Sequence, residues 1–153
     1  MAVTIRVMDG IDRDIWAGMR AALWPEDSAA QHLAEIEEIL ASDDAWGFVA
    51  EGPEGGAAGF AEVSIRKYAN GCTARPVAFL EGIWTDPDRR RTGIGAALLA
   101  HIEAFLTARG FRELCSDALA ENAVSRAAHG QWGFAETEMV VYFRKPLNGD
   151  RRE

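Results

Sequence analysis

Cysteine is scarce in this chain: Cys72 and Cys115 stand in unrelated contexts, with no second ligand set near either. That scarcity argues against a disulfide-built scaffold or a thiolate metal cluster, and free thiols are the expected state. Long apolar runs are missing too, and none approaches the length that crosses a bilayer. The N-terminal Met-Ala-Val-Thr-Ile-Arg-Val alternates like a strand and lacks a charged leader followed by an apolar segment, so a cytoplasmic location is expected. Two common phosphate loops are absent. There is no Gly-Lys-Ser/Thr for a nucleotidase and no Gly-x-Gly-x-x-Gly for a dinucleotide fold. Basic residues are outnumbered, 16 against 24 acidic, giving a net charge of −8. Such a surface suits neither nucleic acid nor an anionic membrane, whereas a small polycation would be drawn to it. No Ser/His/Asp or Cys/His set points to covalent catalysis, and no metal site is expected.

What is present is centred on residues 77–110. Val77, Phe79, Leu80, Ile83 and Trp84 make an apolar, β-favouring run that stops at the turn Asp86-Pro87-Asp88. Leu98, Ile102, Phe105 and Leu106 recur at helical spacing, and Gly110 closes that helix. Between strand and helix lie Arg90, Arg91, Thr92, Gly93, Ile94 and Gly95. A glycine loop opening a helix leaves backbone N–H groups unpaired beside guanidinium groups, an arrangement that holds a phosphate or pyrophosphate. The plainer alternative is that the glycines only let the helix pack close to the strand.

At 153 residues, with 48% hydrophobic and 26% charged, the chain fits one soluble domain. Residues 1–147 are assigned to that domain and 148–153 to a disordered tail. A first strand covers residues 3–7. Asp12 is placed to cap a helix whose apolar face is Ile15, Met19, Ala22 and Leu23, with Trp16 beside it. Trp24-Pro25 ends that helix, and Ser28 to Gln31 resembles a capping box opening another with Leu33, Ile36 and Leu40 buried. Strands at 47–51 and 57–65 form a hairpin, followed by a long loop over 66–76. A short strand over 111–116 leads to Asp117, then Asn122 starts a helix, and residues 137–145 alternate as a last strand. The order β-α-α-β-β-β-α-β-α-β gives an α/β chain with a mixed sheet.

Arg90, Gly93 and Gly95 match the pattern Arg/Gln-x-x-Gly-x-Gly/Ala, and in this setting the chain resembles the GNAT acetyltransferase superfamily. Asn122, a short helix and Gly133-Phe134 resemble a second feature of that superfamily. More particular matches are Leu23-Trp24-Pro25, Ile65-Arg66 before Tyr68-x-Asn70-Gly71-Cys72, and Phe79-Leu80-Glu81-Gly82-Ile83. Ser116-Asp117 with Glu121-Asn122, and Gly133-Phe134-x-Glu136-Thr137-Glu138, complete them. Together, over residues 3–145, they look like the aminoglycoside 6′-N-acetyltransferases, a branch that inactivates antibiotics.

That resemblance implies a mostly antiparallel mixed sheet flanked by about four helices, acetyl-CoA as co-substrate and a homodimer. It places the pyrophosphate on residues 90–95, the pantetheine along Ile83, Trp84 and Thr85, and Asn122 on the CoA chain. It assigns Trp24, Tyr68, Glu81, Asp117 and Glu138 to a polycationic aminoglycoside. Carboxylates and aromatic faces suit the ammonium groups and sugar rings of such a drug. Asp117 is the expected proton acceptor for the attacking amine. His129 occupies the position where relatives often carry a tyrosine that protonates the leaving thiolate, so it is the expected acid. Other roles stay open from the residues alone: an internal ion pair for Glu81, a cap for Asp117, core packing for Trp24 and Tyr68, solvent for Glu138, a structural place for His129. Acetylation of another small amine, or acyl-CoA binding without turnover, is likewise compatible with the sequence.

Overall fold

The computed structural model describes residues 2–147, so the expected disorder at 148–153 lies outside the described residues. Strand β1 (Thr4–Val7) leads through a short 3-10 turn into α1 (Arg13–Leu23) and α2 (Ala29–Ala41). The hairpin β2 (Ala45–Glu51) and β3 (Ala57–Arg66) follows, then β4 (Val77–Thr85), α3 (Ile94–Ala108), β5 (Leu114–Cys115) and α4 (Ala123–Gln131). The sheet runs β1-β2-β3-β4-β5, antiparallel throughout except for the β4–β5 pair. Mixed, mostly antiparallel and flanked by four helices, it agrees with the sequence pattern. No helix among the described residues is long and apolar enough to cross a membrane.

Each sheet face is closed by its own helices. Leu98, Ile102 and Leu106 of α3 fall one turn apart and pack on Phe48, Ala61, Val63 and Leu80. On the other face Trp16, Met19 and Ile36 of α1 and α2 meet Val49 and Phe60. Each such aliphatic or aromatic side chain contributes about 1.5–3 kcal/mol by leaving water. The buried face of α1 is rotated from the expected one: Trp16 is fully covered while Ile15 is exposed. The cause is polar. The rotation turns Arg20 inward, where it meets a buried carboxylate described below.

Four local expectations change. Leu33, expected on the buried face of α2, is exposed, and His32 is buried beside Ile36 instead. Asp12 does not cap α1. Arg6 grips its carboxylate with two donors at 2.9 and 2.8 Å, and the Asp9 N–H donates to it at 2.9 Å. The strand expected over 111–116 contracts to Leu114 and Cys115, because only these pair with β4. Residues 137–145 form no strand within one chain. Met139, Val141 and Phe143 are 72%, 78% and 93% exposed. Alternation supplies the period of a strand, but a ladder also needs a free neighbouring edge, and this segment lies on none.

The Arg6–Asp12 contact ties the edge strand to the start of α1 and holds the Asp12 carboxyl below its ordinary range, against the opposing effect of burial. A carboxylate whose folded pKa is depressed adds stability above its unfolded pKa and loses it as pH falls through the folded value. Asp12→Asn should therefore flatten the acid limb of a stability-against-pH curve below about pH 4. An unchanged acid limb in urea melts would contradict this.

Candidate active site

Pairing between β4 and β5 covers only Ala78 with Leu114 and Phe79 with Cys115. Beyond it the strands part, and Ser116 Oγ, 3.5 Å from the Leu80 carbonyl oxygen, is the last contact across the gap. Ile83, Trp84 and Thr85 remain bonded to β3 on one side, with no strand on the other among the described residues. Alternate backbone groups there are free to bind an extended chain. On the β3 side, Glu62 faces Gly82 while Val63 faces Leu80, so Glu81 is the extra residue of a bulge. Bulges re-aim side chains, and this one carries the carboxylate singled out by the sequence.

The far end of β4 leads to the start of α3. Arg91 and Gly93 have φ of 65° and 85°, curling the loop so that the first-turn N–H groups of α3 point outward. The Arg90 side chain reaches back to the Thr85 carbonyl at 3.4 Å, and Thr92 donates to the Arg89 carbonyl. Gly95 lies under the Trp132 ring, where a Cβ would come within 2.7 Å. Close packing is thus a real role for Gly95, while Gly93 supplies the left-handed turn. Free donors, a helix dipole and adjacent guanidinium groups fit a pyrophosphate.

At the opposite end of the gap the Trp24 ring lies on Gly82, at a place where any side chain would collide with it. Glu81 next door accepts from Ser64 and from Arg66, whose Nη2 lies at 2.8 Å. The internal ion pair left open by the sequence is therefore formed. Both partners are partly exposed, which leaves the carboxylate accessible to a further cation. Arg66 also stacks 3.5 Å over Phe79. Tyr68 projects from the 66–76 loop, 60% exposed, with Arg75 5.5 Å over its ring.

That loop is fastened to β5. Cys72 and Cys115, expected as free thiols, form a disulfide with Cα atoms 6.5 Å apart. The spacing of 43 residues hid a contact made only when the loop folds over the strand. Glu113 accepts from the Thr73 and Ala74 N–H groups at 2.8 and 2.6 Å, which draws its carboxyl below the usual range. Asp117, just past β5, is exposed and caps nothing. The cap of α4 is Asn122, whose Oδ1 accepts from Ser125 N–H at 3.0 Å and whose NH2 stays available as a donor.

Beneath Trp24 is a buried polar set. Glu62 accepts from Trp16 Nε1–H at 2.8 Å and from Arg20 at 2.6 Å. Arg20 also donates to Glu35 and, at 3.2 Å, to His32 Nδ1. A guanidinium can only donate, so His32 carries its proton on Nε2, which donates to the Trp24 carbonyl at 3.1 Å. The same guanidinium lies 4.8 Å from the Trp24 ring centroid. The aromatic wall is thus clamped from below through both backbone and ring.

The acetyltransferase (GNAT) family profile matches residues 13–134. The chain belongs to that family. It is 45% identical over 144 residues to the aminoglycoside N(6′)-acetyltransferase type 1 of Serratia marcescens, a match covering 94% of this chain and 99% of that one. The corresponding protein of Salmonella typhimurium is 44% identical, with 92% and 97% covered. Among solved structures, AAC(6′)-Iy in complex with a CoA bisubstrate analogue superposes with a TM-score of 0.90 at 41% identity, covering 96% of this chain and 100% of that one. AAC(6′)-Ih from Acinetobacter baumannii gives 0.90 at 35% identity, with the same coverage.

In this GNAT chain, Ile83–Thr85 lead into residues 90–95, with Arg90 reaching back to Thr85, while Trp24 lies on Gly82 beside Glu81. Asp117 follows Ser116 at the same end of the gap. Glu138 stands apart, exposed on the C-terminal segment, although its neighbour Thr137 touches Gly71 in the Tyr68 loop. No His/Cys/Asp/Glu group suited to a metal occurs among the described residues. Sequence inspection missed Arg20, His32 and Glu62, and gave Ser116 only as part of the Ser116-Asp117 match, with no role of its own. Glu62 carried the same signal as Glu81, a lone carboxylate in an apolar strand, whereas His32 carried none.

Arg20→Met would leave Glu62 buried with Trp16 as its remaining partner. Breaking a buried pair in this way should cost about 3–5 kcal/mol in urea unfolding. A loss under about 1 kcal/mol would mean that water reaches Glu62 and the set is not a clamp.

Proposed function

We propose that this chain is an acetyl-CoA-dependent aminoglycoside 6′-N-acetyltransferase, transferring acetyl directly to the 6′-amine and so conferring resistance to the antibiotic. The observation that carries this is one gap in one sheet, with an anion-binding helix start at one end and Trp24 and Glu81 at the other. The similarity to proteins named aminoglycoside N(6′)-acetyltransferase supports the substrate. Acetyl-CoA is a substrate here and supplies an activated acetyl group. Arg90, Arg91 and the N–H groups of Ile94 and Gly95 bind its pyrophosphate, and the open edge at Ile83–Thr85 takes the pantetheine together with the Asn122 amide. Outward N–H groups of that edge polarise the thioester carbonyl.

The antibiotic lies on Trp24 and Tyr68, with its ammonium groups on Glu81, Asp117 and Glu138. Glu81 shares its carboxylate between Arg66 and the drug. Asp117, exposed and uncommitted, accepts the proton that the 6′-ammonium must lose before attack. Holding both reactants in one gap supplies much of the rate.

The exposed C-terminal segment fits a homodimer, in which the alternating Met139, Val141 and Phe143 are covered by a second copy. Light scattering of Phe143→Asp against the parent chain tests this, with a shift to monomer expected. A cytoplasmic setting is carried over from the sequence. Neither nucleic acid nor membrane is proposed as a partner, given the net charge of −8.

The deciding assay follows CoA release with kanamycin A and with a congener bearing a hydroxyl at the 6′ position. Turnover is expected only with the amine. Glu81→Gln should raise the drug KM about tenfold or more by loss of a charge-assisted bond, and Asp117→Asn should cut kcat about a hundredfold. Turnover of spermidine or a peptide amine in place of the drug would redirect the assignment, and no thiol release with any amine would leave a binding module.

A further inference from the structure

His129 is held on every side. Its ring meets Trp132 and Phe134 with centroids 5.6 and 5.1 Å away. Nδ1 lies 2.8 Å from the Ser125 carbonyl oxygen, which can only accept, so Nδ1 keeps a proton whether the ring is neutral or charged. The Ser125 hydroxyl lies 3.3 Å from the same nitrogen. Nε2 lies 2.8 Å from Ser116 Oγ. Both nitrogens are engaged, so the sequence expectation that His129 itself protonates the thiolate meets an obstacle: Ser116 stands at the nitrogen that would have to deliver the proton. Ser116 sits where β4 and β5 part, its Oγ 3.5 Å from the Leu80 carbonyl.

We propose that the Ser116 hydroxyl is the proton donor to the leaving sulfur and that His129 resupplies it from behind. This rests on the acetyl-transfer function above, which brings the thioester into the gap beside Ser116. A hydroxyl both donates and accepts, so the Ser116–His129 hydrogen bond persists in either protonation state, and the imidazolium form is the one that relays a proton. With a neutral ring, Ser116 donates to Nε2. With an imidazolium, Nε2–H donates to Oγ and the Ser116 O–H turns outward to the sulfur. As the C–S bond breaks, its electron pair stays on sulfur. Sulfur takes the Ser116 proton while Oγ takes the Nε2 proton. The products are the CoA thiol and a neutral imidazole, which water reprotonates before the next turnover. No free alkoxide forms, because the two proton movements are concerted. The Ser125 carbonyl orients the ring through Nδ1–H in both states, as second partners of catalytic histidines do.

The competing account is that the Ser116–His129 bond merely fastens α4 to β5. It would give Ser116→Ala lower stability but ordinary chemistry. Single-turnover thiol release, with both substrates saturating, separates the two. Ser116→Ala should slow release about a hundredfold while both KM values stay within about twofold, and Ser116→Thr should recover most of the rate. His129→Gln should lose about as much as Ser116→Ala, with the double variant no worse, because the two residues act as a unit. In mixed H2O and D2O the parent enzyme should show a curved proton inventory, the mark of two protons in flight. That measurement needs no variant, so a linear result would refute the relay even if Ser116→Ala folds poorly. A linear parent inventory, or a Ser116→Ala rate equal to the parent's, would overturn the relay. A parent chain releasing no thiol with the 6′-amine would instead sink the acetyl-transfer function on which the relay rests.

Discussion

The pairing of β4 with β5 ends after two residues on each strand, and the rest of the site depends on that early ending. A parallel pair continued to Thr85 would satisfy the edge of β4 internally and leave nothing for a ligand. Because it stops at Phe79, the backbone beyond Leu80, whose carbonyl meets Ser116 Oγ, is open on one side while β3 holds it rigid on the other. The gap also lies between two chemically different ends. One is the start of a long helix whose donors favour an anion; the other is a partly exposed carboxylate on a bulge.

Keeping such an opening in a small domain takes reinforcement around it. The buried Arg20–Glu62–His32 set holds Trp24 against Gly82, and its desolvation cost is offset by near-complete hydrogen bonding. On the opposite rim, Glu113 pins the 66–76 loop to β5 through two backbone donors. Ser116 closes the apex. Trp24, Tyr68 and the β5 end are therefore presented by a stiff frame, as bringing two reactants together requires.

The central strand, glycine loop and amphipathic α3 were legible in the sequence because each has a local cause. Alternating β-formers, a Gly at a left-handed position and apolar residues one turn apart all act over a few residues. Glu81 stood out for the same reason. The features that escaped notice are nonlocal. Cys72 and Cys115 meet only when a loop crosses a strand, and Trp16 displaces Ile15 from the core because Arg20 finds Glu62 on a strand 42 residues away. The segment at 137–145 shows the reverse limit. Its alternation is plain, yet a strand also needs a partner edge, which lies outside any local pattern.

The most direct test of the open edge is a titration of the 15N-labelled protein with CoA, followed residue by residue. Perturbations are expected at the backbone amides of Ile83, Trp84, Thr85, Ile94, Gly95 and Ala96 and at the Asn122 side chain, with the β1–β2 edge unmoved. Shifts absent from β4 and the α3 start, or concentrated on β1 and α2, would contradict the proposal that the parting of β4 and β5 is where the donor binds.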